Sequence, residues 1–267
     1  MKIKYIFLLI FFYIKAEYGL TQSIINMPKY HSQVKGYQSN NRLLLLQSAK
    51  KQEFKLLDSL LNQGLDINEP DVYGNTILGE ILTDISDTSL VDSLIQRGAC
   101  FNCGKYISQY VIKEGIESNY NEPLSNAILN KDTAIFFFLF RKYKNLGFEN
   151  ALSKPELIET AITTVNYKVL LELSHYFDFN GVNDRNIIGQ TLITQTAESL
   201  AILYIIFKNE EKNVEIKKLF SSGIKIIEFL KSKGADLNKT NSKGETALSL
   251  LRNVPVLYEF LKSKKAK

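Results

Sequence analysis

Two cysteines, Cys100 and Cys103, have a spacing that suggests chemistry. A Cys-x-x-Cys pair exchanges disulfides with a substrate when one thiol has a lowered pKa, and a helix N-terminus that follows a strand supplies that lowering. Whether this pair could do so depends on the element that carries it. The elements must therefore be established from the rest of the chain.

Other catalytic groups are sparse. The two histidines, His31 and His175, lie far apart in the sequence, and the carboxylates are scattered. No phosphate-binding Gly-x-x-x-x-Gly-Lys-Ser/Thr loop, His-Glu-x-x-His helix or Gly-x-Ser-x-Gly elbow occurs. The sequence predicts that the chain is not an enzyme and has no catalytic, cofactor-binding or metal-binding residues.

A set of landmark residues occurs twice in the chain, and all its members recur 170 residues later. A third copy begins at Gly98, 34 residues after Gly64. The repeating unit is therefore a helix, turn, helix and loop of roughly 33 residues. The landmark pairs are Gly64 and Gly234, Asn68 and Asn238, Gly74 and Gly244, Thr76 and Thr246, and Leu78 and Leu248.

The stretch 225–251 shows how one unit ends and the next begins. Apolar residues in 226–230 lie on one side of a helix, and Gly234 can close that helix because it has no Cβ to clash in the left-handed conformation. A small, polar segment follows, which suits a projecting turn. Thr246 is then placed to cap the next helix.

Residues 226–251 and 60–82 match the Gly-Ala-Asp-hydrophobic-Asn loop and the Gly-x-Thr-Pro-Leu helix start of ankyrin repeats, and the chain resembles that family. The family's proline is Ala247 in one copy and Ile77 in the other, and its following histidine is Ser249 or Gly79. The resemblance implies an all-α fold, an ankyrin-repeat solenoid of about five to six stacked helix-turn-helix repeats with projecting loops.

The N-terminus is expected to be a leader. Lysines at positions 2 and 4 precede the apolar run 5–14, which is shorter than the roughly 20 residues that span a bilayer. This pattern predicts that residues 1–16 are a signal peptide and that the protein is exported, either to the periplasm or out of the cell. An uncleaved membrane anchor or a buried first helix is the alternative. Residues 17–40 predict a linker.

The repeat domain is expected over 41–267, with a divergent third repeat around 104–145. Gly189 and Gly244 are 55 residues apart, roughly 22 more than one repeat, which places an insertion around 204–223. We expect an elongated connection between two helices there, either a solvated loop or a binding element. Predicted helices cover 43–46, 54–61, 76–84, 90–97, 122–128, 134–143, 157–163 and 167–176.

The segment 134–143 contains four phenylalanines and is apolar on more than one face. This pattern predicts a helix buried between neighbouring repeats. An aromatic patch that is exposed for a partner is the alternative.

In the repeat register, Cys100 takes the place of the usual aspartate in the loop after a helix end. The pair is therefore not at the helix N-terminus that redox chemistry requires. For an exported chain we expect a local disulfide between Cys100 and Cys103. Free thiols and catalytic dithiol chemistry are the alternatives.

The resemblance implies that partners contact the loop tips and the inner face of the first helices. The candidate residues by position are Glu69, Asp71 and Tyr73 in one loop and Lys239, Asn241 and Lys243 in the last.

The formal net charge is +5, and part of it lies in the tail 262–267. No aromatic residues interleave that tail for base stacking, so it predicts a solvated end with no nucleic-acid partner. No small-molecule substrate is indicated, contact with a membrane is expected only through an uncleaved leader, and the chain is expected to be a monomer.

These features predict an exported module that binds a protein of unknown identity. It could restrain another exported protein, as an inhibitor or immunity-type factor does, or act as a secreted effector on a host protein. An enzyme with a site at 104–121 or 204–223, and a structural role in a membrane-tethered assembly, are the alternatives.

Overall fold

The computed structural model describes residues 40–71, 75–101, 123–130, 132–145, 154–186, 188–207 and 214–264. These residues form helices and loops and include no β-strand, which confirms the all-α prediction. The predicted leader, nearly all of the predicted linker and the segment 104–121 lie outside them.

The described residues contain twelve helices, and the first eight agree with the positions predicted from the apolar pattern apart from shifts at their ends. They are α1 Asn40–Lys50, α2 Phe54–Asn62, α3 Ile77–Asp84, α4 Thr88–Gln96, α5 Pro123–Leu129, α6 Thr133–Asn145, α7 Lys154–Thr163, α8 Tyr167–Leu173, α9 Leu192–Phe207, α10 Val214–Ser232, α11 Ala247–Leu250 and α12 Pro255–Ser263.

Contacts divide the described chain into two compact units, one within 21–152 and one within 153–267. In the first unit, α1 pairs with α2, α3 with α4 and α5 with α6. The first helices of these pairs stack in the order α1, α3, α5, and α4 packs on α6. This unit is therefore a stack of three helix pairs.

The second unit repeats the arrangement. Its pairs are α7 with α8, α9 with α10 and α11 with α12, and its first helices stack in the order α7, α9, α11. Because each pair is apolar on the sides that face its neighbours, stacking is what buries the core. The described residues thus contain six helix pairs, within the predicted range.

Three of the second helices end at a glycine with positive φ, as predicted: Gly64 at 88°, Gly98 at 89° and Gly234 at 92°. The residue after each glycine donates its N–H to a carbonyl five residues earlier, as from Ala235 to Leu230 at 2.9 Å. This bond closes the helix end, and the left-handed glycine makes it geometrically accessible.

Threonines cap two of the first helices, α3 and α11, which confirms the prediction for Thr246. The Thr246 hydroxyl accepts a hydrogen bond from Ser249 N at 3.2 Å, and the Thr76 hydroxyl accepts one from Gly79 N at 3.1 Å. Asp87 caps α4. Hydrogen bonds from the Ser89 side chain and the backbone N–H of Leu90 lower the pKa of the Asp87 carboxyl.

The aromatic helix α6 is buried on its inner side, as predicted. Phe136 and Phe140 are 0% and 5% exposed, and their rings stack at 5.4 Å. Phe137 and Phe138 are half-buried.

The insertion differs from the expectation of an elongated connection. Its described residues, 204–207 and 214–223, are helical and continue α9 and α10. The extra residues therefore lengthen the helix pair itself.

Among the described residues, no helix combines the length and apolar character that crossing a bilayer requires.

Candidate functional site

Three projecting loops close in the same way, each through an Asp or Asn at the first position of a five-residue turn. The carboxylate of Asp71 accepts a hydrogen bond from Asn75 N at 2.8 Å, while Asp71 N donates to the Asn75 carbonyl at 2.9 Å. Asn241 makes the same two bonds with Glu245, both at 2.9 Å. Asn186 accepts from Gln190 N at 3.0 Å. Each turn is therefore fixed by its first side chain.

Two of the predicted protein-binding candidates, Asp71 and Asn241, have buried side chains, and their role in binding stays a prediction. Asp71 is 8% exposed and Asn241 is 0% exposed. The oxygen of Asn241 also accepts from Lys243 N at 3.0 Å, and its amide group donates to the Glu245 carboxylate at 2.9 Å. Both residues hold the loop closed.

The other candidates lie nearer the surface. Lys239 and Lys243 are exposed, and Glu69 is half-buried. Tyr73 lies outside the described residues. The Glu69 and Lys243 loops belong to different units, so each set is a candidate by itself.

Arg42 was not among the predicted site residues. Its buried side chain holds the loop that contains Glu69 in place. Its side chain is 1% exposed, and its guanidinium donates to the carbonyls of Glu69 at 3.2 Å and Asn75 at 2.9 Å. The same group lies 3.4 Å from the Glu80 carboxylate and 4.0 Å from that of Asp71. An arginine immediately before four leucines was the only sequence signal of a buried charge.

Asparagines link consecutive loops within each unit. The Asn68 amide donates to the Gly98 carbonyl at 2.9 Å, and its oxygen accepts from Cys100 N at 2.8 Å. Asn183 makes the equivalent pair of bonds with Gly234 O at 2.9 Å and Asp236 N at 2.7 Å. These asparagines hold neighbouring loops at a fixed spacing.

The loops of the second unit have two further links. Arg185 donates to the Thr240 carbonyl at 3.0 Å and to its hydroxyl at 3.1 Å. Ser242 N donates to the Gly189 carbonyl at 2.8 Å. The exposed lysines at 239 and 243 are therefore carried on a row of loops that bond to one another.

Buried polar groups on α9 are hydrogen-bonded, and one of them reaches a neighbouring helix. Gln195 donates to the Thr163 hydroxyl at 2.8 Å, and Gln190 donates to the Glu198 carboxylate at 2.8 Å. The first of these bonds connects α9 to the end of α7. Gln195 is thus part of the packing between repeats.

Cys100 is disulfide-bonded in the structure. Cys103, the only other cysteine in the sequence, lies outside the described residues. The pairing of the two therefore remains a prediction. Cys100 follows the end of α4 in the loop bonded to Asn68, where the repeat register placed it.

The Cys100–Cys103 disulfide can be tested by intact mass. We expect the purified protein to be two hydrogens lighter before reduction than after it, with no alkylatable thiol. Because the ring is so short, breaking it should cost at most about 2 kcal/mol of unfolding free energy. Two thiols that alkylate in non-reduced, exported protein would contradict the bridge.

Within the described ranges, no group of three or more His, Cys, Asp or Glu side chains is arranged to hold a metal ion. His175 is exposed beyond the end of α8. The described part of each unit thus offers closed loops as a candidate site of its own.

Solved structures include chains of similar fold. No protein-family model matches the chain, and no curated protein matches its sequence. A solved chain from the complex of a predatory endopeptidase of Bdellovibrio bacteriovorus with an immunity protein has a TM-score of 0.53 and 17% identity, over 83% of this chain and 97% of that one. The human ASB11 ankyrin repeat domain has a TM-score of 0.40 and 19% identity, over 77% of this chain and 90% of that one.

The protein is a helical repeat protein. Its repeats are ankyrin-like, since several of them show a threonine-capped first helix, a glycine-ended second helix or a loop closed by an Asx residue. Solenoids of this class present extended surfaces for protein interaction.

Proposed function

We propose that this protein is an exported binding module that restrains another exported protein, in the manner of an immunity-type factor. The observation that carries the proposal is the row of loops in the second unit. Its backbone is fixed by Asn183, Arg185 and Asn241, whereas Lys239 and Lys243 remain exposed on it. Such loops lose little conformational freedom when they bind.

The comparison with the endopeptidase–immunity protein complex supports the proposal that the partner is an exported enzyme. A chain of similar fold takes part in a complex of those two kinds of protein. For this protein, the corresponding partner would be an exported enzyme whose activity must be held in check. Action on a host protein is the alternative target of the same loops.

The binding surface is tested with the double variant Lys239→Ala/Lys243→Ala. A partner is first recovered from native envelope or secretome, identified and purified, and its affinity is then measured by calorimetry. We expect the affinity to fall roughly tenfold, because two exposed charges next to the contact are removed. Tyr73→Ala should have a similar effect, because interface tyrosines are frequent hot spots.

The matched control is Lys51→Ala/Lys55→Ala, which removes an exposed lysine in the turn before α2 and another in its first turn. Its affinity should be unchanged. Asn241→Ala is unsuitable as a binding variant, because it would open the loop. Equal affinity for the wild type and both lysine variants would count against this loop row.

Inhibition of the partner and export of this protein are measured in separate experiments. If the partner is an enzyme, its activity should fall as the protein is added, up to one equivalent. N-terminal sequencing of the mature protein should show cleavage near Ala16. A retained leader would favour a membrane-tethered role instead.

A further inference from the structure

Three aromatic rings form a connected cluster between the second helices α8 and α10. Tyr167 begins α8, Phe179 lies in the segment after α8, and Phe229 lies near the end of α10. The Phe229 ring centroid is 5.1 Å from that of Phe179 and 6.5 Å from that of Tyr167. Phe179 is 9% exposed, and the other two side chains are half-buried. The cluster therefore joins α8 to α10 and still reaches the surface.

Two lysines, Lys225 and Lys233, flank this cluster, and we call them the lysine pair. The Lys225 Nζ lies 5.9 Å from the centroid of the Tyr167 ring. The Lys233 Nζ lies 5.4 Å from the centroid of Phe229 and 5.8 Å from that of Phe179. Both lysines are exposed. An ammonium at this distance is attracted by the electrons of a ring, so the cluster holds both charges at defined places on the surface.

The lysine pair lies on one side of α10. Lys225, Phe229 and Lys233 follow one another at intervals of four residues, and such positions are neighbours on a helix surface. The helical bonding reaches Lys233, because its backbone N–H donates to the Phe229 carbonyl at 3.1 Å. At 1.5 Å per residue, the two lysines are therefore roughly 12 Å apart along the helix axis, with Phe229 between them.

The lysine pair differs from the other cations that lie against rings in the described residues. Each of those also makes an ion pair, whereas neither Lys225 nor Lys233 makes one with a described residue. The paired cations are Arg97 with Asp58 at 2.7 Å, Lys142 with Asp92 at 2.6 Å, Lys262 with Glu259 at 3.8 Å and Lys264 with Glu228 at 2.9 Å. The last of these pairs uses the glutamate that lies one turn from Lys225. The two charges of the lysine pair are thus available to a binding partner.

We propose that Lys225, Phe229 and Lys233 form a second contact surface, which binds a protein partner through two of its carboxylates roughly 12 Å apart. Acidic residues four apart in an extended segment fit this spacing, because they lie on one side and the chain rises about 3.3 Å per residue. Since the rings already hold the ammonium groups, binding costs little side-chain entropy. The inference rests on the proposed binding function and adds the chemistry of the partner's surface.

Nucleic acid and membrane fit this surface less well. Single-stranded nucleic acid binds where ring faces are open for bases to stack. Here the rings pack on one another edge to face, at 71° and 80°, and the lysine pair lies against them. A membrane-surface helix inserts aromatic or leucine side chains into the lipid, whereas these rings are packed between two repeats.

Zero-length carbodiimide crosslinking tests the contact directly, because it joins an ammonium only to a carboxylate close beside it. The full chain, carrying an affinity tag, is treated in native envelope or secretome, and the crosslinked peptides are identified by mass spectrometry. We expect both Lys225 and Lys233 to be linked to acidic residues of one other protein. Links from this pair to a second copy of the chain, or the absence of links from either lysine, would overturn the inference.

The crosslinked protein is then purified, and its affinity for two variants is compared with its affinity for the wild type. Lys225→Gln/Lys233→Gln should weaken binding roughly tenfold, with a smaller effect at high salt, because two charge pairs are lost. Lys225→Arg/Lys233→Arg should retain most of the affinity, since it keeps both charges and the attraction to the rings. Because both side chains are exposed, thermal unfolding should shift by no more than a few degrees.

The matched control is Lys51→Gln/Lys55→Gln, which removes two exposed lysines from the first unit and should leave the affinity unchanged. Equal weakening by the two glutamine variants would overturn the inference. So would binding of the wild type to single-stranded oligothymidine or to phosphatidylglycerol vesicles that is lost with Lys225→Gln/Lys233→Gln. If only Lys239→Ala/Lys243→Ala weakens partner binding, this inference fails and the proposed function remains. If neither variant does, both fail.

Discussion

Replacing Arg42 with alanine is expected to destabilise the first unit by about 3 kcal/mol, because its guanidinium is buried among groups that need it. The variant leaves the carbonyls of Glu69 and Asn75 without this donor and the largely buried Asp71 without a nearby positive charge. The loss should appear in urea unfolding followed by circular dichroism. Hydrogen exchange should also increase in the loop 63–76, which Arg42 holds.

The control is Arg141→Ala, which removes an exposed arginine from the same unit. Arg141 donates to the Phe137 carbonyl at 3.2 Å within its own helix, so its loss should cost within about 0.5 kcal/mol. Arg42→Lys should fall between the two, because an ammonium keeps the charge but not the planar set of donors. If Arg42→Ala and Arg141→Ala unfold alike, Arg42 does not hold the loop.

Helix ends were the most predictable part of this fold, because they depend on single residues. Gly234 was predicted to close α10 and Thr246 to cap α11, and both do so. These assignments need only the local backbone rule that glycine tolerates positive φ and that a hydroxyl accepts an unpaired N–H. The apolar pattern supplied the remaining boundaries.

Loop position alone did not reveal which candidate side chains are buried. Asp71 and Asn241 were proposed for partner binding because they occupy projecting loops. However, a five-residue turn needs an acceptor for its own N–H groups, and these two side chains serve that need. Arg42 was missed for a related reason. Its partners lie about 30 residues away, and sequence pattern carries no information on such contacts.

The position of the insertion could be predicted from the sequence, but its secondary structure could not. The spacing of Gly189 and Gly244 revealed the surplus, and residues 204–223 were assigned to it. Periodicity could not show that the surplus extends two packed helices, because apolar residues in a buried helix and in a compact connection look alike. Contacts such as that of Gly223 with Leu200 decide the question.

Gly189→Ala is expected to destabilise the second unit by about 3 kcal/mol, through two separate effects. Gly189 has φ of 78°, where an alanine is strained by roughly 1–2 kcal/mol. In addition, the new Cβ would overlap the Ser242 Oγ and lie 2.5 Å from the Ser242 Cβ. Relieving that overlap would separate the two loops and weaken the bond from Ser242 N to the Gly189 carbonyl, now 2.8 Å long.

Gly244 separates the two effects, since it occupies the equivalent place in the next loop. Its φ is 79°, but a Cβ there meets nothing within 4 Å. Gly244→Ala should therefore show only the backbone strain, roughly 1 kcal/mol. Adding Ser242→Gly to Gly189→Ala should return the loss to nearly that level, because the overlapping side chain is gone. Equal losses for Gly189→Ala and Gly244→Ala in urea unfolding would show that the loops do not depend on this close approach.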